Sequence, residues 1–539
     1  MGRSLFGALH RRHGRRLAGG ERKRRADLHR ERLRGVMPID LIGAPRPTPG
    51  AAPGSVAVVG GGFAGSVAAY TLDLLGFHVT LFDGGKGGRV STSSTVVHNR
   101  LLETGGELIG TNHPLWLHLA GRFRLEMSVV STDDSFAAQG LEMPLTLGGR
   151  SLSTPEQAAL YDQMNAIMGM WCAQAAAVKH PWHPWTTPRA AALDAQSLAQ
   201  QMPAGCPPDV YDAINTTFLF NNTQPLQGQS WLANLAQFAA GTIVVGAPGD
   251  TTGFFDDTEV FRCASGNQSL LPHLRRGIRL VASNVADLDT TSGKVALTLA
   301  DGGGSGSGGT FDYAVFAGPL SVFPHTTVDG GRPFPWGAIQ WGSACKYLAP
   351  LDRRFWIADR LAPSGMSDQA GMTWEATDNQ MALPGQSGPQ YCLTLFTGGP
   401  IAQQAVGQAQ QGSPGFPDAF FEPLVEPMYP GFDRADAGGH FCCAPGDGVP
   451  YMMAGYSCPA PGQVTAPHAS QQAYTTPHNG VVFLAGEHAS PAWFGFMEGA
   501  LESGFVAAVR VALAAGVDVP PSVGGLDAIT WEERMETPA

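Results

Sequence analysis

The chain is poor in charge and almost without lysine. Charged residues fill 15% of its 539 positions, and only five of them are lysines. Against a hydrophobic share of 43%, that composition excludes global disorder and describes a globular protein with a large core. The eight cysteines, Cys172, Cys206, Cys263, Cys345, Cys392, Cys442, Cys443 and Cys458, are scattered. None forms a C-x-x-C pair, which argues against a zinc site and suits a reducing, cytoplasmic setting. No run of about 18 apolar residues is present, so no membrane span is expected. Arg11-Arg12 and Arg15-Arg16 lack the following apolar stretch of ~7–15 residues that an export signal needs.

Positive charge is scarce except at one end. Residues 1–36 carry twelve Arg or Lys against three acids, a balance of +9 that leaves −20 on the rest of a chain whose total is −11. An acidic body makes nucleic acid a poor partner. The basic head reads as a solvated arm, or as a helix laid on its own acidic body.

What the chain has in quantity is glycine, 70 residues, with 41 prolines. Several fall in loop-like runs and imply long connections. One glycine cluster differs. The apolar run Ser55 to Val59 leads into Gly60-Gly61-Gly62-Phe63-Ala64-Gly65, a helix-like run from Ser66 to Leu75, and a second apolar run from Phe77 to Phe82 that ends on Asp83. This is β-turn-α-β with an acid at its tip. Gly60 permits the tight turn, Gly62 lets backbone approach a pyrophosphate, and Gly65 lets helix and strand pack closely. Asp83 is placed to accept from a ribose hydroxyl.

Further on, Gly87-Gly88-Arg89 sets a forked, always-charged group within reach of a pyrophosphate. Residues 113–254 turn helical, with apolar spacing over Ala158 to Met170 and Leu193 to Met202. The stripe with Trp171, Trp182 and Trp185 reads as core. Strand signals return at Gly277 to Leu280, Val285, Val295 to Leu299 and Phe311 to Ala317, with Gly302 to Gly309 as a flexible hairpin tip. Residues 340–460 mix strands with long loops and are aromatic. A strand over Val481 to Ala485 and a helix over Met497 to Ala515 follow. The expected fold is mixed α/β: a Rossmann-like, discontinuous dinucleotide-cofactor domain (55–112, 255–335 and 465–515) with an inserted substrate domain of mixed sheet plus helices (113–254 and 336–464). A basic arm and linker (1–54) and a tail (516–539) flank them.

Val58 to Asp83, Gly87-Gly88-Arg89, Leu484 to Ser490 and Gly495 to Gly504 resemble the flavin-containing amine oxidase family. Phe261 to Leu270 and Asp312 to Pro319 are similar to two of its middle segments. The resemblance keeps the family order over most of 55–515. It implies FAD, with Gly60, Gly62, Gly65 and Asp83 on its ADP half and Arg89 along the pyrophosphate. Val285 would meet the adenine through its backbone, and Glu487 the ribityl chain. Phe496 and Met497 open a final helix whose positive end would face the flavin pyrimidine. Gly106 and Glu107, in Gly105-Gly106-Glu107-Leu108-Ile109-Gly110, complete the implied cofactor contacts.

For the chemistry the resemblance singles out Lys346, ten residues before Trp356, as the lysine that reaches flavin N5 through water. Trp493 and Tyr456, with Phe494 and Tyr451, would wall an aromatic cage that orients an amine. The place where monoamine oxidases attach FAD covalently carries Ala454, with Cys458 four residues off, so the FAD is expected to be non-covalent. The implied reaction oxidises the C–N bond of an L-amino acid to an imine that hydrolyses to keto acid and ammonia, while dioxygen becomes hydrogen peroxide. Primary amines or polyamines are the alternative substrates. An FAD-dependent desaturase or a non-catalytic FAD-binding protein is a further alternative. Arg100, Arg262 and Arg353 are the candidates for holding a substrate carboxylate. A homodimer is common in that family.

Overall fold

The computed structural model of the chain describes residues 53–85, 87–97, 100–245, 253–300, 306–336, 339–383, 389–443, 455–467, 469–473, 476–519, 522–523 and 526–527. The basic head, Lys86, Tyr451 and Ala454 lie outside them.

The glycine cluster folds as its spacing predicts. Strand β1 (Ser55–Val59), helix α1 (Phe63–Leu74) and strand β2 (His78–Phe82) form a β-α-β unit, with β1 and β2 parallel and Val58 level with Leu81. Three later strands complete a five-stranded parallel sheet. Its order is Val482–Leu484, Tyr313–Phe316, β1, β2, Arg279–Val281. Strands so far apart in sequence converge because β1 and its neighbours are apolar on both faces and need covering on both. A four-stranded sheet, Gly306–Phe311, Val295–Leu299, Val285–Asp289 and Thr327–Val328, stands beside it. Of the hairpin tip expected over Gly302 to Gly309, residues 302–305 lie outside the described residues, and the rest is corrected: Gly306 to Gly309 lie in a strand paired with Val295–Leu299. Sheet pairing overrides the weak strand preference of glycine.

The helical region is built on α2 (Thr154–Ala175), α3 (Pro208–Asn222) and α4 (Trp231–Val245). Helix α2 starts at a capping box in which Ser153 and Glu156 satisfy each other's backbone N–H groups. The helix expected over Leu193 to Met202 is broken instead into Ala190–Asp194 and a turn at Leu198–Gln201. A second capping box, Ser197 with Gln200, restarts the chain there. Trp171, Trp182 and Trp231 are buried in the core of this region, and Trp185 packs against it.

Strands β3 (Ala344–Leu351), β4 (Gly371–Glu375), β5 (Tyr391–Gly398) and β6 (Phe441–Cys443) belong to a seven-stranded sheet, with β3 between β6 and β5. The last helix, α5 (Met497–Ala514), returns to the first sheet and packs on α1. The approach is close enough that a Cβ on Gly504 would fall 2.0 Å from the Ala64 carbonyl oxygen. Among the described residues no helix is long and apolar enough to cross a membrane.

Candidate active site

The turn after β1 is shaped by two glycines for different reasons. Gly60 has φ 103°, a left-handed conformation. Gly65 has no room for a side chain: a Cβ there would lie 1.9 Å from the Gly60 carbonyl oxygen. Gly62 differs from both. A Cβ on it would meet nothing nearer than 3.8 Å, so it faces open space. Helix α1 begins at Gly62 with no side-chain cap and no acid in its first turn. Its N–H groups and the positive end of its dipole therefore remain available to an anion.

That open space is a cavity of about 450 Å³. Gly60, Gly62, Asp83, Arg89, Gly106, Glu107, Val285, Lys346, Tyr456, Glu487, Phe496 and Met497 all line it. Gly65 lies behind the turn and shapes it. A glycine turn opening to the cavity and two helix N-termini, those of α1 and α5, converge on one elongated space. Such a donor set fits the diphosphate and the electron-poor ring of a flavin dinucleotide.

Several of these side chains are held by protein partners. Asp83 accepts from the Gly85 N–H at 3.1 Å and from Arg275 at 3.0 Å. Arg275 also donates to the Gly61 carbonyl and to Ser66. Arg89 donates to Glu487 at 2.7 Å and to the Gly455 carbonyl at 3.1 Å. Glu487 in turn accepts from Ser457 and from the Gly495 N–H. Burial pushes its carboxyl upward, but Arg89 above all holds it below the ordinary carboxylate range. What Glu487 presents to the cavity is thus a fixed Arg89 rather than an unengaged carboxylate. The Val285 carbonyl accepts from Thr326 Oγ1 at 3.0 Å.

Lys346 is 5% exposed. Its ammonium donates to the Glu103 and Gly105 carbonyls at 3.1 and 2.7 Å and to Glu107 Oε2 at 2.7 Å. Those three acceptors match its three protons. Burial would raise the Glu107 carboxyl, but Lys346 and then Arg262 outweigh it and hold it low. Glu103, equally buried, is pushed up to about 8 by desolvation.

Tyr456 reaches the cavity and donates to the Phe220 carbonyl at 2.7 Å, and burial raises its pKa. Trp493 does not reach it. Its side chain is fully buried, with its ring 5.0 Å from His113 and 5.6 Å from Phe496, centroid to centroid. Expected as a wall, it is a backing for one, because the turn before α5 points its ring inward while Phe496 faces out. His113 accepts the Gly110 N–H on Nδ1, so its ring proton sits on Nε2, and burial pulls its pKa down to about 3.

The wall itself comes from residues that sequence reasoning did not assign. Phe218 and Phe220 on α3, Phe254, Phe255, Trp374 on β4 and Phe396 on β5 line the cavity. The usable signal was period-two spacing in β4 and β5, which needs the strand register to be read: Lys346 pairs across to Phe396, and Phe396 to Met372. The three arginine candidates for a carboxylate lie elsewhere. Arg262 is bound to Glu107, Arg353 is exposed beside Asp352, and Arg100 donates to the Gln380 carbonyl.

Fold and cavity together define a dinucleotide-binding protein built on a parallel sheet, with an aromatic second half. The family model for flavin containing amine oxidoreductases matches residues 63–512, and the chain belongs to that family. It is a flavoprotein that takes FAD and acts on amines. A solved structure of wild-type putrescine oxidase bound to putrescine has the same fold, at 17% identity and a TM-score of 0.66, covering 85% of this chain and 99% of that one. Cyclohexylamine oxidase from Brevibacterium oxydans IH-35A is similar at 18% identity and a TM-score of 0.63, with the same coverage. No curated protein sequence matches the chain.

Proposed function

We propose that the protein oxidises a primary amine that carries no α-carboxylate, using non-covalently held FAD and dioxygen and releasing hydrogen peroxide. The observation that carries this reading is the charge pattern of the cavity. Among the described residues that line it, the cations are Arg89 and Lys346, and each is already paired with a carboxylate, Glu487 and Glu107. A buried carboxylate on the substrate would need a cation of its own. The aromatic lining, by contrast, suits an apolar amine whose nitrogen lies against ring faces. The L-amino-acid expectation therefore gives way to the amine alternative.

A bound flavin supplies the electron-accepting chemistry, taking two electrons from the amine-bearing carbon and passing them to dioxygen. The chain's own residues do the rest. Gly60, Gly62 and the α1 N-terminus would hold the diphosphate. Arg89, fixed by Glu487, would lie along it. Phe496 and Met497 would bring the α5 N-terminus to the ring, where its dipole favours added negative charge. Tyr456, Trp374 and Phe396 would orient the amine and exclude water. The reading extends to a cofactor domain of 55–112, 255–335 and 465–515 and to assembly as a homodimer. Denaturing the holoprotein tests the linkage: flavin released from the polypeptide supports it, and flavin retained overturns it. A panel of amines and amino acids, followed by peroxide release, tests the substrate class.

A further inference from the structure

Two groups that line the cavity, Lys346 and Trp374, are held by one carboxylate. Glu107 Oε2 accepts from Lys346 Nζ at 2.7 Å. Glu107 Oε1 accepts from Trp374 Nε1 at 2.9 Å and from Arg262 Nε at 2.7 Å. The Lys346 ammonium lies over the Trp374 ring, 5.8 Å from its centroid. Arg262, 1% exposed, locks the assembly from behind, donating to the Asp378 and Glu375 carbonyls at 2.8 and 3.3 Å. The contributing segments come from far apart. Glu107 stands on the Gly105-Gly106 loop, Lys346 on β3 and Trp374 on β4, so without the carboxylate no hydrogen bond joins the last two side chains.

We propose that Glu107 is the positioning residue of the amine site, setting the Lys346 ammonium and the Trp374 ring against each other and so fixing one aromatic wall. The proposal rests on the amine reading above. A carboxylate is required rather than an amide because every partner is a donor. A glutamine would have to turn its NH₂ toward Lys346 or toward Arg262 and Trp374, donor against donor, and release one of them. It would also leave two buried cations without their shared counter-charge.

The test uses the FAD-loaded protein and 2-phenylpropan-2-amine, an aromatic amine with no hydrogen on its nitrogen-bearing carbon. It can bind but cannot be oxidised, and its binding is read from the flavin absorbance. Glu107→Gln should lower the melting temperature, because two buried cations lose their counter-charge, and in the flavin-loaded protein should weaken the Kd about tenfold; Trp374→Phe should weaken it comparably. The double variant should be no weaker than the worse single one, because both act through one unit. Binding by Glu107→Gln within twofold of wild type, or losses that multiply in the double variant, would overturn the proposal. If Glu107→Gln does not fold, Glu107→Asp decides. It keeps the charge but is one methylene short of reaching both partners, so it should weaken binding, and wild-type affinity would refute the clamp. A wild type that binds no amine overturns the amine reading itself, a result distinct from any difference among variants.

Discussion

Gly62 and Gly65, three and six residues beyond β1, should respond to the same substitution in opposite ways. At Gly65, an alanine Cβ would sit 1.9 Å from the Gly60 carbonyl oxygen, where real contacts do not fall under 3.0 Å. Helix α1 must therefore back away by about 1 Å, an overpacking strain of about 2 kcal/mol. At Gly62 the nearest atom is 3.8 Å away and the backbone, at φ −65°, already suits alanine. Gly62→Ala should leave the flavin-free protein's stability within about 0.5 kcal/mol of wild type. Its methyl group, however, projects where the diphosphate must approach. That clash should weaken FAD by about 2 kcal/mol, roughly thirtyfold in Kd. Gly65→Ala should lose stability and also about fivefold in Kd, since the α1 dipole retreats from the ligand and ~1 kcal/mol of its attraction is lost. Urea unfolding of the flavin-free protein and fluorescence titration with FAD measure the two quantities separately. If Gly62→Ala folds normally and binds FAD within twofold of wild type, the glycine turn is not the cofactor's cradle.

Two further outcomes are expected. Glu103 is buried with its pKa raised to about 8, so the folded state keeps a proton that the unfolded chain releases above about 4.5. Stability is therefore lost as pH rises through that window, by up to about 1.4 kcal/mol per unit. Glu103→Gln mimics the protonated form and should flatten the slope of urea midpoints between pH 5 and 8; an unchanged slope would refute the assignment. Trp493 backs the cavity wall, and among the described residues its indole N–H has no hydrogen-bond partner. Trp493→Phe should thus change kcat by less than threefold, whereas a hundredfold loss at full flavin content would return Trp493 to the reaction.

Legibility in the sequence followed distance along the chain. The β1-α1-β2 unit is local: its glycine spacing, its apolar runs and Asp83 all fall within 30 residues, and each has a fixed mechanical reason. Helix α5, expected over Met497 to Ala515, is found over Met497–Ala514. The ion cluster was not. Glu107 meets Arg262 and Lys346 across 155 and 239 positions, and nothing local to any of the three encodes the meeting. Lys346 and Glu487 entered through family resemblance, which placed them near the cofactor but did not reveal that protein groups already engage both. Trp493 shows the limit for aromatics. Composition marks a ring, while the turn before α5 decides that it points inward and that Phe496 points out. Trp374 and Phe396 were visible as aromatic strand residues, but only the β3-β5-β4 register puts them on one face with Lys346.

The central claim, an amine without a carboxylate as substrate, is tested most directly by anaerobic mixing of the FAD-loaded protein with 2-phenylethylamine and with L-phenylalanine at matched concentrations. The two differ only in the α-carboxylate. The cavity described above predicts that the amine bleaches the flavin and the amino acid does not. Bleaching by L-phenylalanine with 2-phenylethylamine inert would contradict it, and would mean that a cation beyond Arg89 and Lys346 serves the site.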